Sequence, residues 1–227
     1  TAPGIIARWA APRAVPLIHF STDYVFDGLG TKPWREEDEP RPLSVYGASK
    51  LAGENAIRAA GGCFLIVRTS WVYAANGKNF LRTIARLAQE RRELRIVADQ
   101  VGAPTSAALI AAAVATLVGG GLGNLRKDCM RANGLIHFAA SGETSWHGFA
   151  SAIVDGLRSR GLRLAVEDVV PIPSGEYPTR AKRPHNSRLD VARLQRIFSL
   201  NPPHWRTALS AELDHLALEQ CAPRPPA

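Results

Sequence analysis

The chain has 227 residues, 46% of them hydrophobic and 21% charged, which is enough to bury a sizeable core and far from the composition of disordered, collagen-like or disulfide-stapled proteins. A net charge of +8 arises from 28 basic against 20 acidic residues. The basic residues are mostly arginine and scattered, a pattern without the aromatic-interleaved stripe of a nucleic-acid binder and suited to an anionic small molecule. Cys63, Cys129 and Cys221 are odd in number and far apart, so neither a disulfide framework nor a metal-ligand spacing is visible, and a reducing, cytoplasmic setting fits. No run reaches the roughly 18 apolar residues of a membrane span, and no targeting segment is recognisable.

In chain order, "AVPLIHF" (14–20) is an apolar run of strand length, followed at once by the polar cluster Ser21-Thr22-Asp23-Tyr24. The segment "DGLGTKPWREEDEPRPLS" is broken by Pro33, Pro40 and Pro42 and predicts a loop. "VYGASKLAGENAIRAAGG" predicts a helix, with Leu51, Ala52, Ala56 and Ile57 at helical spacing and Gly61-Gly62 as its stop. "CFLIVRTSWVY" predicts a second buried strand. Strand, polar end, helix, strand, polar end is the rhythm of a parallel α/β sheet, whose ligands sit beyond the carboxyl ends of the strands.

Downstream, "NFLRTIARLAQERR" (79–92) is amphipathic through Phe80, Leu81, Ile84 and Leu87. "LRIVADQVGAPTS" predicts a short strand and a turn, and "AALIAAAVATLV" (107–118) a buried helix. "GGGLGN" (119–124) reads as a loop. The segment 134–161 predicts a strand, a loop with Thr144 or Ser145 as N-cap, and a helix. After "VEDVVPI", the segment "PSGEYPTRAKRPHNSRL" is extended, proline-broken and cationic, and the last 40 residues predict one or two helices and a frayed tail.

Tyr46-Gly47-Ala48-Ser49-Lys50 is the sharpest chemical signal. Helix positions i and i+4 lie about 5–6 Å apart on one face, so a phenol and an ammonium share one environment. A nearby cation favours phenolate, and such a tyrosine can give a proton to a carbonyl oxygen while hydride arrives at carbon. The plain structural alternative is a half-buried tyrosine beside a solvated lysine. Ser21-Thr22, taken alone, is a polar turn. Beside the Tyr46–Lys50 pair it offers a hydroxyl to hold a substrate oxygen.

The ordered set "STDYVFDG", "VYGASKLAGE", "RTSWVY", "NF", "DQVGAPT", "SGETSW" and "RPHNSRL" resembles the dTDP-4-dehydrorhamnose reductases, a branch of the extended short-chain dehydrogenases/reductases, from near residue 14 to about residue 200. The resemblance implies reduction of the 4-keto group of dTDP-4-dehydro-β-L-rhamnose to dTDP-L-rhamnose by NADPH or NADH. It further implies catalytic roles for Thr22, Tyr46 and Lys50, and cofactor contacts from Ser21, Tyr46 and Lys50. Substrate contacts fall to Asp23, Trp71, Gln100, Thr105, Arg180, Arg183 and Asn186, with Lys182 in the same cationic segment. Taken alone, Asp23 is a turn cap, Trp71 ordinary core and the basic cluster a solvated loop. A structural Mg2+ and a homodimer are admitted; no nucleic-acid, membrane or catalytic-metal partner is expected. Two alternatives share the fold: a non-catalytic regulatory relative of the methionine adenosyltransferase regulatory subunit type, and a sibling sugar-nucleotide epimerase or dehydratase.

The glycine-rich strand-to-helix turn that receives a cofactor pyrophosphate in this family does not occur in the 227 residues, and "GGGLGN" follows a helix and does not replace it. "TAPGIIARWAAPRA" resembles the end of the helix ahead of the first strand, so roughly 90 residues, about three strand-helix repeats, are expected to be missing. The expected architecture is therefore α/β: the C-terminal part of a Rossmann-type parallel sheet, its N-terminal strands missing, with a small mixed α/β substrate lobe. Residues 1–100 are assigned to the dinucleotide domain, 101–222 to a substrate-binding lobe interleaved with returning Rossmann elements, and 223–227 to a disordered tail. The strand at 14–20 is expected at an exposed edge. The polypeptide made alone is expected to bind reduced cofactor poorly and turn over slowly.

Overall fold

The computed structural model describes residues 1–179 and 181–221, without the side chains of 219–221. Arg180 and the tail at 223–227 lie outside the described residues. Helix α1 (Ala2–Ala10) leads to β1 (Leu17–Thr22), α2 (Val45–Ala60), β2 (Phe64–Thr69) and β3 (Val72–Tyr73). Then come α3 (Phe80–Glu90), β4 (Glu93–Val97), β5 (Val101–Gly102), β6 (Thr105–Ser106), α4 (Ala107–Gly119) and α5 (Leu122–Arg131). These are followed by β7 (Leu135–His137), β8 (Thr144–Ser145), α6 (Trp146–Ser159), β9 (Asp168–Ile172), α7 (Ala192–Phe198) and α8 (Trp205–Cys221). No single helix among the described residues is long and apolar enough to cross a membrane.

Two compact units interleave along the chain. The first takes Thr1–Ser70, Leu109–Ala139 and Thr179–Pro202; the second takes Trp71–Ala108, Ala140–Pro178 and the chain from Pro203. The boundary therefore falls after β2 rather than near residue 100, because β3, α3 and β4 make their partnerships inside the second unit.

In the first unit β1, β2 and β7 form a parallel sheet in the order β1-β2-β7, with Thr22 opposite Thr69 at the carboxyl ends. Alternate residues of β2 serve two cores. Ile66 packs with Ala7 of α1 and Ile57 of α2, whereas Leu65 and Val67 pack with Leu125 and Cys129 of α5 and Leu194 of α7. A sheet covered on both faces needs apolar residues at every position, which is why "CFLIV" is continuous rather than alternating. The first strand starts at Leu17, later than the apolar run suggests, because Ala14 takes a left-handed φ of 52° after a short 3-10 turn.

Local chemistry sets the ends of α2. The Ser44 hydroxyl caps it by accepting from Gly47 N at 3.1 Å, and Gly61 closes it at a φ of 68°. Gly47 also lets the first turn touch the loop after β1, since a Cβ there would collide with the Tyr24 carbonyl oxygen.

The expectation of a buried helix at 107–118 is corrected: in α4 only Ile110 is buried, with Leu109, Ala113 and Leu117 packed beside it. An alanine-rich run is apolar all round, so its sequence carries no stripe to mark the inner face. The loop read at 119–124 is also shortened. Only the Gly120–Gly121 break separates α4 from α5, whose first residues are Leu122, Gly123 and Asn124.

The second unit joins parallel β3–β6 and β4–β9 pairs and an antiparallel β5–β8 pair to α3, α6 and α8. Its core includes Leu81, Ile84, Phe149, Ile153, Leu157, Trp205 and Leu213. Asn79 and Ser145 cap α3 and α6.

Candidate active site

Thr22 ends β1 in an extended conformation. Its hydroxyl accepts from Tyr24 N and donates to Asp23 Oδ1, both at 3.2 Å. The other Asp23 oxygen, Oδ2, and the neighbouring Thr69 Oγ1 are buried without a hydrogen-bond partner among the described residues. Each unpaired buried polar atom costs about 1–3 kcal/mol, so these strand ends are under-satisfied as they stand. Burial lifts the Asp23 carboxyl to about 7, against the opposing pull of hydroxyls from Ser187 and Thr22.

One helical turn separates Tyr46 from Lys50 on α2. The Lys50 ammonium donates to the Phe20 carbonyl oxygen at 2.6 Å, two residues before Thr22. Desolvation lowers the Lys50 pKa while Glu54 opposes the shift. The Tyr46 side is open, the residue being 55% exposed, and its ring meets Tyr24 edge-on at 5.9 Å. Burial raises the Tyr24 pKa, helped by Asp23 and Tyr46 and opposed by Arg183. Thr22, Asp23, Tyr46 and Lys50 thus meet at the loop and strand end formed by residues 20–24, and the Arg183 charge is felt at Tyr24.

Ser21 faces the other way. Its hydroxyl is buried and donates to Glu54 Oε1 at 2.5 Å. Glu54 also takes a two-pronged contact from Arg68, Nε at 2.9 Å and Nη2 at 2.7 Å, with neither side chain more than 1% exposed. Arg58 adds a contact at 3.4 Å. Sequence reasoning missed this network. The signal was present, because an arginine inside "CFLIVRTS" is a charge in a buried strand and must find a partner.

Asn186 holds a loop together. Its amide nitrogen donates to Lys32 O at 2.8 Å, and its side-chain oxygen accepts from Arg188 N and Nε. Lys182 and Arg183 are exposed. In the second unit, Trp71 is buried against Trp146, the rings stacked at 3.6 Å, and holds a φ of 48° that non-glycine residues rarely adopt. Gln100 Nε2 donates to Ser174 Oγ at 3.3 Å. Thr105 is fully buried, donating to Ala103 O and accepting from Ala140 N. Among the described residues no cluster of three or more His, Cys, Asp or Glu side chains is placed to hold a metal ion.

Comparison with known proteins places these features in context. A family model described as the RmlD substrate binding domain matches residues 1–218. The chain is 46% identical over 210 residues to the dTDP-4-dehydrorhamnose reductase of Burkholderia thailandensis, covering 92% of this chain and 70% of that one. Two crystal structures of dTDP-4-dehydrorhamnose reductases, each matched over 94% of this chain and 70% of theirs, are similar: Clostridium acetobutylicum at 34% identity and a TM-score of 0.83, and Bacillus anthracis, in complex with NADP, at 31% and 0.81.

Proposed function

Since the chain belongs to the dTDP-4-dehydrorhamnose reductase family, we propose that it reduces the 4-keto group of dTDP-4-dehydro-β-L-rhamnose to give dTDP-L-rhamnose, with NADPH or NADH as reductant. The observation that carries this reading is the convergence of an exposed phenol, an ammonium one turn on and a strand-end hydroxyl around residues 20–24.

The residues present fit the nicotinamide end of the cofactor. Only one Lys50 N–H is needed for Phe20 O, and an ammonium carries three donors, which suits ribose hydroxyls. Thr69 Oγ1 is an orphaned polar atom at the adjoining strand end. When bound, the cofactor supplies a hydride to the sugar carbonyl carbon.

The chain's own residues handle the oxygen. Tyr46 gives its phenolic proton to the carbonyl oxygen, and the Lys50 ammonium stabilises the negative charge left on the phenol. Thr22, whose donor bond to Asp23 is long at 3.2 Å, turns its hydroxyl to that same oxygen and fixes its position. Asp23 Oδ2, buried and unpartnered, takes a sugar hydroxyl. Exposed Arg183 suits diphosphate oxygens, which a guanidinium fork matches. Asn186 is assigned to holding the loop rather than to ligand.

Genetic replacement tests the reading. In a bacterium lacking its own reductase, the natural gene from which this sequence is drawn should restore dTDP-L-rhamnose, and its Tyr46→Phe form should not, the loss of proton transfer being worth about 10²–10⁴ in rate. Full restoration by Tyr46→Phe would contradict it.

A further inference from the structure

We propose that Glu54 is a positioning residue for the reaction: its carboxylate sets how far along the sheet the Tyr46–Lys50 helix sits, and so where the phenol stands relative to Thr22. The inference rests on the reading of the site given above. Tyr46, Lys50 and Glu54 fall at i, i+4 and i+8 of α2, successive turns that step across about 80° of one side of the helix. The first two serve the open end; the third is fully buried.

Glu54 reaches both strands that end at the site. Through Oε1 it accepts from Ser21, the residue immediately before Thr22, at 2.5 Å. Through both oxygens it accepts from Arg68, the residue immediately before Thr69. Thr22 and Thr69 are themselves register partners. One carboxylate therefore fastens the catalytic helix to two adjacent strand ends one residue short of their terminal hydroxyls. Lys50 lies a turn above it, with its ammonium on Phe20 O at 2.6 Å. A slide of the helix would break the Ser21, Arg68 and Lys50 bonds together. The bidentate guanidinium geometry makes the tether directional as well as strong.

Fold and positioning are separable because a buried ion pair replaced on both sides by apolar residues of similar volume often leaves stability unchanged or improved, whereas removal of one partner is costly. The test compares Glu54→Gln, the double variant Glu54→Leu/Arg68→Met, and Tyr46→Phe in the enzyme produced from its natural gene, measuring thermal midpoint, kcat and KM together with a crystal structure of the double variant. Expected are a lowered midpoint for Glu54→Gln and a midpoint near the parent's for the double variant. The double variant should nevertheless lose at least about tenfold in kcat, since an ångström of misplacement is enough for such losses, with KM for the sugar nucleotide little changed, and its Lys50 ammonium should have left Phe20 O.

Parent-like kcat in the double variant, or an unmoved Lys50–Phe20 bond in its crystal structure, overturns the proposal. Should the double variant not fold, Ser21→Ala decides: it removes one tether and no charge, and should lower kcat about threefold or more at a near-parent midpoint, an unchanged kcat counting against the proposal. Undiminished activity in Tyr46→Phe would instead remove the reading of the site, while the crystallographic comparison would still judge the tether.

Discussion

The Thr22 hydroxyl donates to one oxygen of Asp23 at 3.2 Å while the other oxygen of that carboxylate is buried without a partner. Burial raises the Asp23 pKa from 3.8 to about 7. The folded state therefore holds a proton that the unfolded chain has lost between about pH 4 and 7, so the stability from this group is full below pH 4 and is lost as pH rises through 7. Asp23→Asn removes that dependence. Its unfolding free energy, measured by urea denaturation against the parent's in matched buffers, should gain progressively from about pH 4 to about pH 7 and then level, by up to about 4 kcal/mol at ~1.4 kcal/mol per unit. A constant difference across that range would show that Asp23 ionises as it does in water.

His137 bears the opposite sign. Burial and then the Arg68 charge lower its pKa from 6.5 to about 3, and its Nδ1 meets Trp34 O at 3.1 Å. The stability it contributes is present above pH 6.5 and is lost as pH falls through 3, because the unfolded chain takes up the proton first. His137→Asn should show a shallower acid decline than the parent in urea unfolding between pH 6.5 and 4.

Gly47→Ala should lower stability by about 1–3 kcal/mol through overpacking, because the added methyl meets the Tyr24 carbonyl oxygen, a backbone atom that cannot swing away. The same displacement moves the turn that carries Tyr46. Urea midpoints read the first effect and kcat the second; a variant unchanged in both would mean that α2 and the residue-24 loop part easily.

Gly102→Ala should act on Trp71. A Cβ there comes within 2.7 Å of the indole ring, which is already stacked on Trp146 at 3.6 Å and hung from a backbone at φ 48°. With little room to yield, the ring must shift or the strand must bend, at about 1–3 kcal/mol. A lower thermal midpoint with altered tryptophan fluorescence is expected, and parent-like values in both would show the contact to be loose.

Much of this protein could be read without coordinates wherever the information is local. The helix at 45–60 is announced by a serine cap, a spaced apolar face and a pair of glycines, and the Tyr46–Lys50 pair follows from helical periodicity alone. Strand β2 is announced by an unbroken apolar run, which is what burial on both faces requires. The ordered motifs pointed to the family because they combine these local patterns over most of the chain.

What depends on neighbours distant in sequence became visible only in three dimensions. Ser21 is expected from the sequence to meet the cofactor beside a catalytic Thr22, yet its hydroxyl is spent on Glu54 while that of Thr22 bonds Asp23 and Tyr24 N. Thr105 and Asn186 carry polar groups that suit a ligand, and packing ties both into internal hydrogen bonds. The alanine-rich helix shows the same division, since its composition specifies a helix but only the sheet beneath it selects Ile110 as the buried side. Backbone conformation is dictated by adjacent residues, whereas the partner of a side chain is dictated by whatever the fold brings within a few ångströms of it.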